Sequence, residues 1–373
     1  MRIVLVGSGT GGHFYPLIAI AESIRAADRS NNTDTELFFV GPEPYNQDAL
    51  DSQRISFVYC PAGKRRLYRS IRNYLDVGKT AFGFFVAFWR LLLLYPDVVM
   101  SKGGYTSVPV ILAAWLLRIP IVIHESDAVA GRGNKLAAHF ARYIAIAHDD
   151  AAAFFPKEKV ALVGMPIRTS FFVQAKDPYT PLGIPTDRPV VLVTGGSLGA
   201  ERINNLILNS LDELLPFFTI LHQTGPLHEE KIRKSAASLI TDPALQSRYV
   251  AYGTLPADRM AMALDAAAIV IARAGSGTIF EIALKGKPSI LIPIPEDISR
   301  DQRSNAYSYA RSGAATVIEE QNLTDDLLVS EIRRILEDKT AYQDMQTAAR
   351  NFTVPDAADK LADTLISIGK EHE

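Results

Sequence analysis

One histidine stands where a glycine-rich run meets a helical one. His13 follows Gly7, Gly9, Gly11 and Gly12 in the segment GSGTGGH and precedes the helical stretch Leu17 to Ala27. Glycines let the backbone turn sharply and approach a ligand closely, and the free N–H groups of a helix start favour anionic groups. Imidazole is suited to removing a proton near neutrality, and among glycines it has little packing to account for it. His13 is therefore the candidate general base. Two further loops repeat the device: Thr194-Gly195-Gly196-Ser197-Leu198-Gly199-Ala200, and the run from Arg273 through Gly275, Ser276, Gly277 and Thr278 to Glu281. Glu281 falls in the first turn or two of the following helix. There it could simply favour the helix dipole, or its two oxygens could accept from both hydroxyls of a ribose. One loop alone is no more than a turn; three together predict a phosphate-bearing ligand.

These loops need strands beneath them, and the sequence supplies strands twice. Short apolar, β-branched runs at 3–7, 36–41, 57–60, 97–101, 121–125, 143–147 and 160–164 alternate with stretches long enough to cross a sheet. That alternation predicts a parallel α/β sheet. After a stretch dotted with Pro and Gly around 177–188, the grammar repeats at 190–196, 219–225, 249–253, 269–275, 289–295 and 316–319. The expected fold class is α/β, with two Rossmann-like parallel-sheet domains and the ligand in the cleft between them. The domains are expected at 1–165 and 166–350, with 351–373 forming a last amphipathic helix opened by Pro355-Asp356. Gly7 to Gly12 also fits the dinucleotide pattern GxGxxG. The acid that pattern needs would be Glu43, roughly thirty residues past Gly12 and behind Gly41-Pro42, which is poor spacing for a nicotinamide or flavin site.

Composition narrows the classes further. The chain has 373 residues, 48% of them hydrophobic and 21% charged, with a net charge of -2, so no global field draws it to nucleic acid. The single cysteine, Cys60, excludes an internal disulfide framework and a multi-cysteine zinc site. The opening Met1-Arg2 leads at once into Ile3-Val4-Leu5-Val6 and glycines, which does not read as an export signal. The apolar run Ala81 to Tyr95 carries Arg90, stops at Pro96 and falls short of the about 20 residues that a spanning helix needs. A soluble protein able to adhere to a bilayer is expected.

The adhesive segment is local. Lys64, Arg65, Arg66, Arg69, Arg72, Lys79 and Arg90, against Asp76 alone, give a charge of +6. Ile71, Leu75, Phe82, Phe85 and Trp89 fall at helical spacings, and Phe84 and Phe88 broaden the stripe. One reading is a buried helix with a solvated basic flank. The other is an interfacial surface whose aromatics enter the headgroup boundary while Arg65, Arg66, Arg69 and Arg72 meet anionic lipid, each worth about 1 kcal/mol.

In order along the chain, GSGTGGHFYP (7–16), PAGKRRLYRS (61–70), SKGGYTSVPV (101–110), HESDAVAGRGNK (124–135), GMPIR (164–168), TGGSLGA (194–200), HQTG (222–225), ARAGSGTIFE (272–281) and DQRSNA (301–306) resemble the MurG family. These are the peptidoglycan glycosyltransferases that move N-acetylglucosamine from its UDP carrier onto lipid I to make lipid II. Each motif is moderately specific; their number and order carry the resemblance, which covers nearly the whole chain. It implies a GT-B architecture with an amino-terminal acceptor domain, a carboxyl-terminal donor domain and a final helix packing back on the first. It further implies that Thr10, Gly11 and Gly12 lie against the donor's phosphates or sugar, with His13 the base. Arg168 and Ser197 would meet the diphosphate, the loop of Gly277 and Thr278 with Glu281 the nucleotide and its ribose, and Gln302 the N-acetylglucosamine hydroxyls. Backbone near Tyr252 to Thr254 would read uracil. Many members carry HEQN where this chain has His124-Glu125-Ser126-Asp127, so a donor-contacting asparagine is Asp127 here.

The expected reaction is inverting transfer from UDP-N-acetylglucosamine to the 4-hydroxyl of N-acetylmuramic acid in lipid I, with no metal and no cofactor. The expected setting is the cytoplasmic face of the cell membrane, peripherally attached to its anionic surface. A glycolipid synthase with another lipid acceptor, or a non-catalytic UDP-sugar-binding protein, are the alternatives.

Overall fold

The computed structural model describes residues 1–7, 10–63, 72–296, 298 and 300–372, without the side chains of 72–75 and 300. Two compact units divide it: Met1–Arg168 together with Val354–Glu373, and Thr169–Thr353. In the first, the strands are β1 (Arg2–Val6), β2 (Glu36–Gly41), β3 (Ile55–Tyr59), β4 (Val98–Ser101), β5 (Ile121–Glu125), β6 (Tyr143–Ile146) and β7 (Val160–Leu162). They form one sheet in the order β3-β2-β1-β4-β5-β6-β7, every pairing parallel.

In the second unit, β8 (Val190–Thr194), β9 (Thr219–Gln223), β10 (Tyr249–Tyr252), β11 (Ala267–Ala272), β12 (Ser289–Leu291) and β13 (Ala315–Val317) pair in parallel in the order β10-β9-β8-β11-β12-β13. Each of the thirteen strands among the described residues overlaps one of the apolar runs read from the sequence. The runs work as strands because an all-parallel sheet is covered on both faces and needs no polar alternation.

Alternation survives instead as a choice of core. In β1, Ile3 and Leu5 join Phe14, Leu17, Ile20 and Ile24 of the helix Gly11–Asn31, while Val4 and Val6 join Val99, Ile121 and Ile123 on the other face. The last helix, Ala357–His372, sends Leu361, Leu365 and Ile368 into the first of these cores. It lies so close that a Cβ on Gly369 would meet the Met1 sulfur at 2.3 Å.

The strand orders locate the ligand-binding ends. In each unit the chain winds outward one way from its first strand and then returns to the other side of it, so order reverses between β1 and β4 and between β8 and β11. In open α/β sheets, ligands bind beyond the carboxyl ends of the strands at such a reversal. The segments leaving β1 and β4 are Gly7–His13 and Lys102–Thr106; those leaving β8 and β11 are Gly195–Gly199 and Arg273–Gly277.

Candidate active site

In the first unit the helix Gly11–Asn31 begins at the reversal point with Thr10 as its cap. Thr10 makes no side-chain bond to the helix N–H groups, so Gly11 and Gly12 open the helix with backbone donors turned to the carboxyl end of the sheet. The Tyr45 hydroxyl accepts from the Gly11 N–H, which leaves the Gly12 N–H as the donor at the helix start. The Thr10 hydroxyl contacts His13 Nδ1 at 3.0 Å, which orients the ring and leaves Nε2 as the atom able to take a proton when Nδ1 bears the hydrogen. The Arg168 guanidinium stacks 4.2 Å over the Tyr15 ring, so this residue meets the helix that carries His13 and lies in the first unit.

At the ends of β4 and β5 sits a buried polar network of residues that lie in the sequence motifs but were given no role there. Lys102, the residue after β4, is 1% exposed, and its Nζ hydrogen-bonds both His124 Nδ1 and Ser126 Oγ. His124 Nε2 lies 2.8 Å from the Gly164 carbonyl, which can only accept, so Nε2 carries the hydrogen and Nδ1 accepts from Lys102. Glu125 fixes the loop that follows: its carboxylate accepts from Asp127 N at 3.1 Å, Gly131 N at 2.9 Å and Asn134 Nδ2 at 3.0 Å. Asp127 is thereby held at the end of β5 and is partly exposed.

Burial sets the protonation of this cluster. It lowers the Lys102 ammonium to about 7, against the pull of Glu125 and Asp127. Burial, and after it the Lys102 charge, lowers His13 to about 4 and holds His124 well below the usual imidazole range. At neutral pH both imidazoles are unprotonated.

The second unit presents backbone instead. Gly196 and Gly199 take φ of 85° and 79°, the left-handed region open to glycine, and Gly199 N closes the turn on Gly196 O at 3.0 Å. Ser197 is exposed on this turn. A Cβ on Gly225 would meet the Leu198 carbonyl at 2.3 Å, so the HQTG segment packs directly against the loop. The segment is held from below: His222 Nε2 donates to Asn204 Oδ1 at 3.0 Å, Nδ1 accepts from the Tyr249 hydroxyl at 2.9 Å, and Asn204 Nδ2 donates to the Thr224 carbonyl at 2.9 Å.

The helix Ser276–Leu284 starts at Gly275, with Gly277 and Thr278 in its first turn and Glu281 in its second, all three partly exposed. Gln302, on the helix Arg300–Ala310, accepts from Ile294 N at 3.2 Å, which turns its NH2 group into the available donor. The Tyr252 carbonyl is taken by Thr224 N at 2.9 Å.

The adhesive segment is a helix, Arg72–Leu94. Arg65, Arg66 and Arg69 lie outside the described residues, as does the side chain of Arg72. The helix has two apolar faces where the sequence reading drew one stripe. Ala87 and Leu91 are buried with Phe84 and Phe88 packed beside them, whereas Phe82, Phe85 and Trp89 are 62%, 59% and 61% exposed. Asp76–Leu94 is long and apolar enough to cross a bilayer by length and composition, because the helix begins before the run Ala81 to Tyr95. Its inner face belongs to the core of the sheet.

Residues 3–146 match the model of the glycosyltransferase family 28 N-terminal domain, and 190–361 match that of the family 28 C-terminal domain. The chain is 35% identical to the UDP-N-acetylglucosamine–N-acetylmuramyl-(pentapeptide) pyrophosphoryl-undecaprenol N-acetylglucosamine transferase of Shouchella clausii, over 94% of this chain and 95% of that one. It is 33% identical to the enzyme of the same name from Treponema denticola, over 89% and 87%. The crystal structure of Acinetobacter baumannii MurG superposes with a TM-score of 0.74 at 24% identity, covering 98% of this chain and 99% of that one. A UDP-GlcNAc 2-epimerase from Neisseria meningitidis bound to UDP-GlcNAc gives 0.71 at 14% identity, over 98% and 100%. The expected α/β class, with two Rossmann-like parallel sheets of the GT-B kind, is the one observed. By both domain models and by near full-length identity to its relatives, the chain belongs to glycosyltransferase family 28.

Proposed function

We propose that this protein transfers N-acetylglucosamine from UDP-N-acetylglucosamine to the 4-hydroxyl of N-acetylmuramic acid in lipid I, the undecaprenyl-pyrophosphoryl-MurNAc-pentapeptide, giving lipid II. The observation that carries the reading is 35% identity over 94% of the chain to a relative named for that transfer. The chemistry of the residues supports it.

His13 accepts the proton of the attacking hydroxyl. The oxygen so freed bonds to the anomeric carbon from the face opposite the phosphate, the bond from that carbon to the β-phosphate oxygen breaks, and its electron pair leaves with UDP. The configuration inverts from α to β, and the imidazolium returns its proton to solvent. General base catalysis of this kind contributes about 10²–10⁴-fold.

The diphosphate gains charge as the bond breaks. Each unit by itself carries donors that suit such charge: the Gly12 N–H and the Arg168 guanidinium in the first, the Gly195–Gly199 turn and the Ser197 hydroxyl in the second. Glu281 suits a ribose diol, and the Gln302 NH2 suits a sugar hydroxyl. Gly277 and Thr278 offer donors at a helix start, and Asp127 offers a carboxylate just past the end of β5.

The same reading includes peripheral attachment to an anionic membrane surface, since the acceptor is a membrane lipid. Phe82, Phe85 and Trp89 would enter the headgroup boundary, and the basic run Arg65, Arg66, Arg69 and Arg72 would meet lipid charge. Trp115 and Leu116, each 54% exposed, end a helix that packs on Arg72–Leu94 and add apolar surface.

The test is a matrix of donors and acceptors read by UDP release and product mass. UDP-N-acetylglucosamine with a lipid I analogue should turn over best, and UDP-glucose or diacylglycerol poorly. Preference for diacylglycerol would make this a glycolipid synthase, and donor binding without any transfer would make it a sugar-nucleotide-binding protein.

A further inference from the structure

The turn Gly195–Gly199 takes its shape from two side chains beneath it. Thr194 and Gln223 end β8 and β9 and stand opposite each other in the parallel pairing, so their side chains leave the same face of the sheet. Each is 4% exposed. Both close on Gly196: Thr194 Oγ1 accepts from the Gly196 N–H at 3.1 Å, and Gln223 Nε2 donates to the Gly196 carbonyl at 3.1 Å. Gly199 N gives that carbonyl a second donor at 3.0 Å, and Gly196 holds its φ of 85° between these bonds.

The other end of the Gln223 amide is stranded. Its Oε1 is buried and has no hydrogen-bond partner among the described residues. Turning the amide over would set that oxygen against the Gly196 carbonyl, acceptor facing acceptor, so the turn dictates the orientation. A buried acceptor without a partner costs free energy, and a methionine of similar size would avoid that cost. Stability therefore does not explain the glutamine; what its amide does to Gly196 does.

The Gly196 carbonyl and the Ser197 N–H belong to one planar trans peptide and point in opposite directions. With the carbonyl held by Gln223, the Ser197 N–H is turned away from that side chain, at the exposed part of the turn. We infer that Gln223 is a positioning residue for the donor's diphosphate: with Thr194 it clamps the Gly196 peptide, so that the Ser197 N–H is presented in a fixed direction to a phosphate oxygen. The inference rests on the proposed function for the identity of the ligand. A turn already set need not be ordered by the ligand, which raises affinity for the group that meets it. Uridine, which lacks the phosphates, gains nothing from the clamp.

The test compares UDP and uridine binding to the full chain by calorimetry, beside denaturant melts. In Gln223→Met the amide donor goes, but the Gly196 carbonyl keeps Gly199 N and the stranded oxygen goes as well, so the melting midpoint should stay at or above that of wild type. UDP should bind about 10-fold more weakly, as one hydrogen bond to a charged group loosens, while uridine binding is unchanged. Gln223→Glu keeps the shape but sets a carboxylate against the Gly196 carbonyl; it should weaken UDP further, and it serves if the methionine variant does not fold. Thr194→Val frees the other side of the peptide, and in combination with Gln223→Met it should add less than its own loss, since both act on one peptide. Unchanged UDP affinity in the folded Gln223 variants, or equal losses for UDP and uridine with a lowered midpoint, would overturn the inference and leave the proposed function standing. A wild type that does not bind UDP would overturn the proposed function and the inference with it.

Discussion

The two sheets carry the same device at the same topological place and load it differently. Around the β1/β4 reversal stand ionisable groups, His13, Lys102 and His124, two of them fully enclosed and all shifted toward losing their protons. At the β8/β11 reversal the loops offer backbone, hydroxyl and carboxylate groups. The one buried histidine there, His222, spends both ring nitrogens on Tyr249 and Asn204. Burial lowers His222 to about 3, yet nothing about it is reactive. A perturbed imidazole is therefore no sign of catalysis by itself. What distinguishes His13 is that it keeps partial exposure and a ring nitrogen to use, at a helix start among glycines.

That contrast can be broken from either side. The largest effect expected short of the base itself is at Glu281: replacing it with alanine should lower kcat/KM for the donor by about 10- to 100-fold, the loss of a charged hydrogen-bond partner worth about 1.5–3 kcal/mol. The loss should fall mainly on KM, and an unchanged donor dependence would take the ribose role from Glu281. Next comes His222→Leu, which strands the Tyr249 hydroxyl and Asn204 Oδ1 and should cost about 1–3 kcal/mol in denaturant melts. If His222 only supports the loop, the pH profile of the surviving activity keeps its shape.

Gly7→Ala on the other sheet should cost a similar or slightly smaller amount, about 1–3 kcal/mol, because the new methyl overlaps the Lys102 stem. A neutral outcome there would mean that the backbone at Gly7 yields easily around the Lys102 stem.

The buried imidazoles also set a pH dependence of stability. The folded pKa of His222 is depressed below that of the unfolded chain, so the unfolded state binds more protons between about 3 and 6.5. Its contribution is complete above 6.5 and is lost as pH falls through that window. Thermal melts between pH 7 and 5 should show the midpoint fall, and His222→Leu should flatten that fall.

The smallest effect on folding is expected at the exposed helix face. Replacing Phe82, Phe85 and Trp89 with serine should change stability by about 0.5 kcal/mol or less per site, since all three are largely exposed and Phe85 and Trp89 make only edge contacts with Phe84 and Phe88. Sedimentation with anionic vesicles should nevertheless weaken markedly. Unchanged sedimentation would count against the membrane-facing role.

How legible all this was depended on the kind of signal. The strands were readable because parallel strands covered on both faces are plain apolar runs, and the glycine loops because few residue types tolerate such turns. Strand order was not readable, and order is what brings Lys102 beside Gly7. Lys102 itself hid behind its type: lysine is almost always solvated, and SKGG reads as a turn until the fold encloses it. In the helix Arg72–Leu94 the apolar residues surround the axis, so spacing alone could not tell Phe84 and Phe88, which face the core, from Phe82, Phe85 and Trp89, which do not.

The central claim is that the first loop does chemistry while the second holds the nucleotide, and His13→Ala tests it most directly. Single-turnover transfer to a lipid I analogue at saturating donor, measured beside the UDP dissociation constant, should fall by about 10²–10⁴-fold with UDP affinity essentially unchanged. Turnover equal to wild type, or a loss explained entirely by weaker UDP binding, would contradict it.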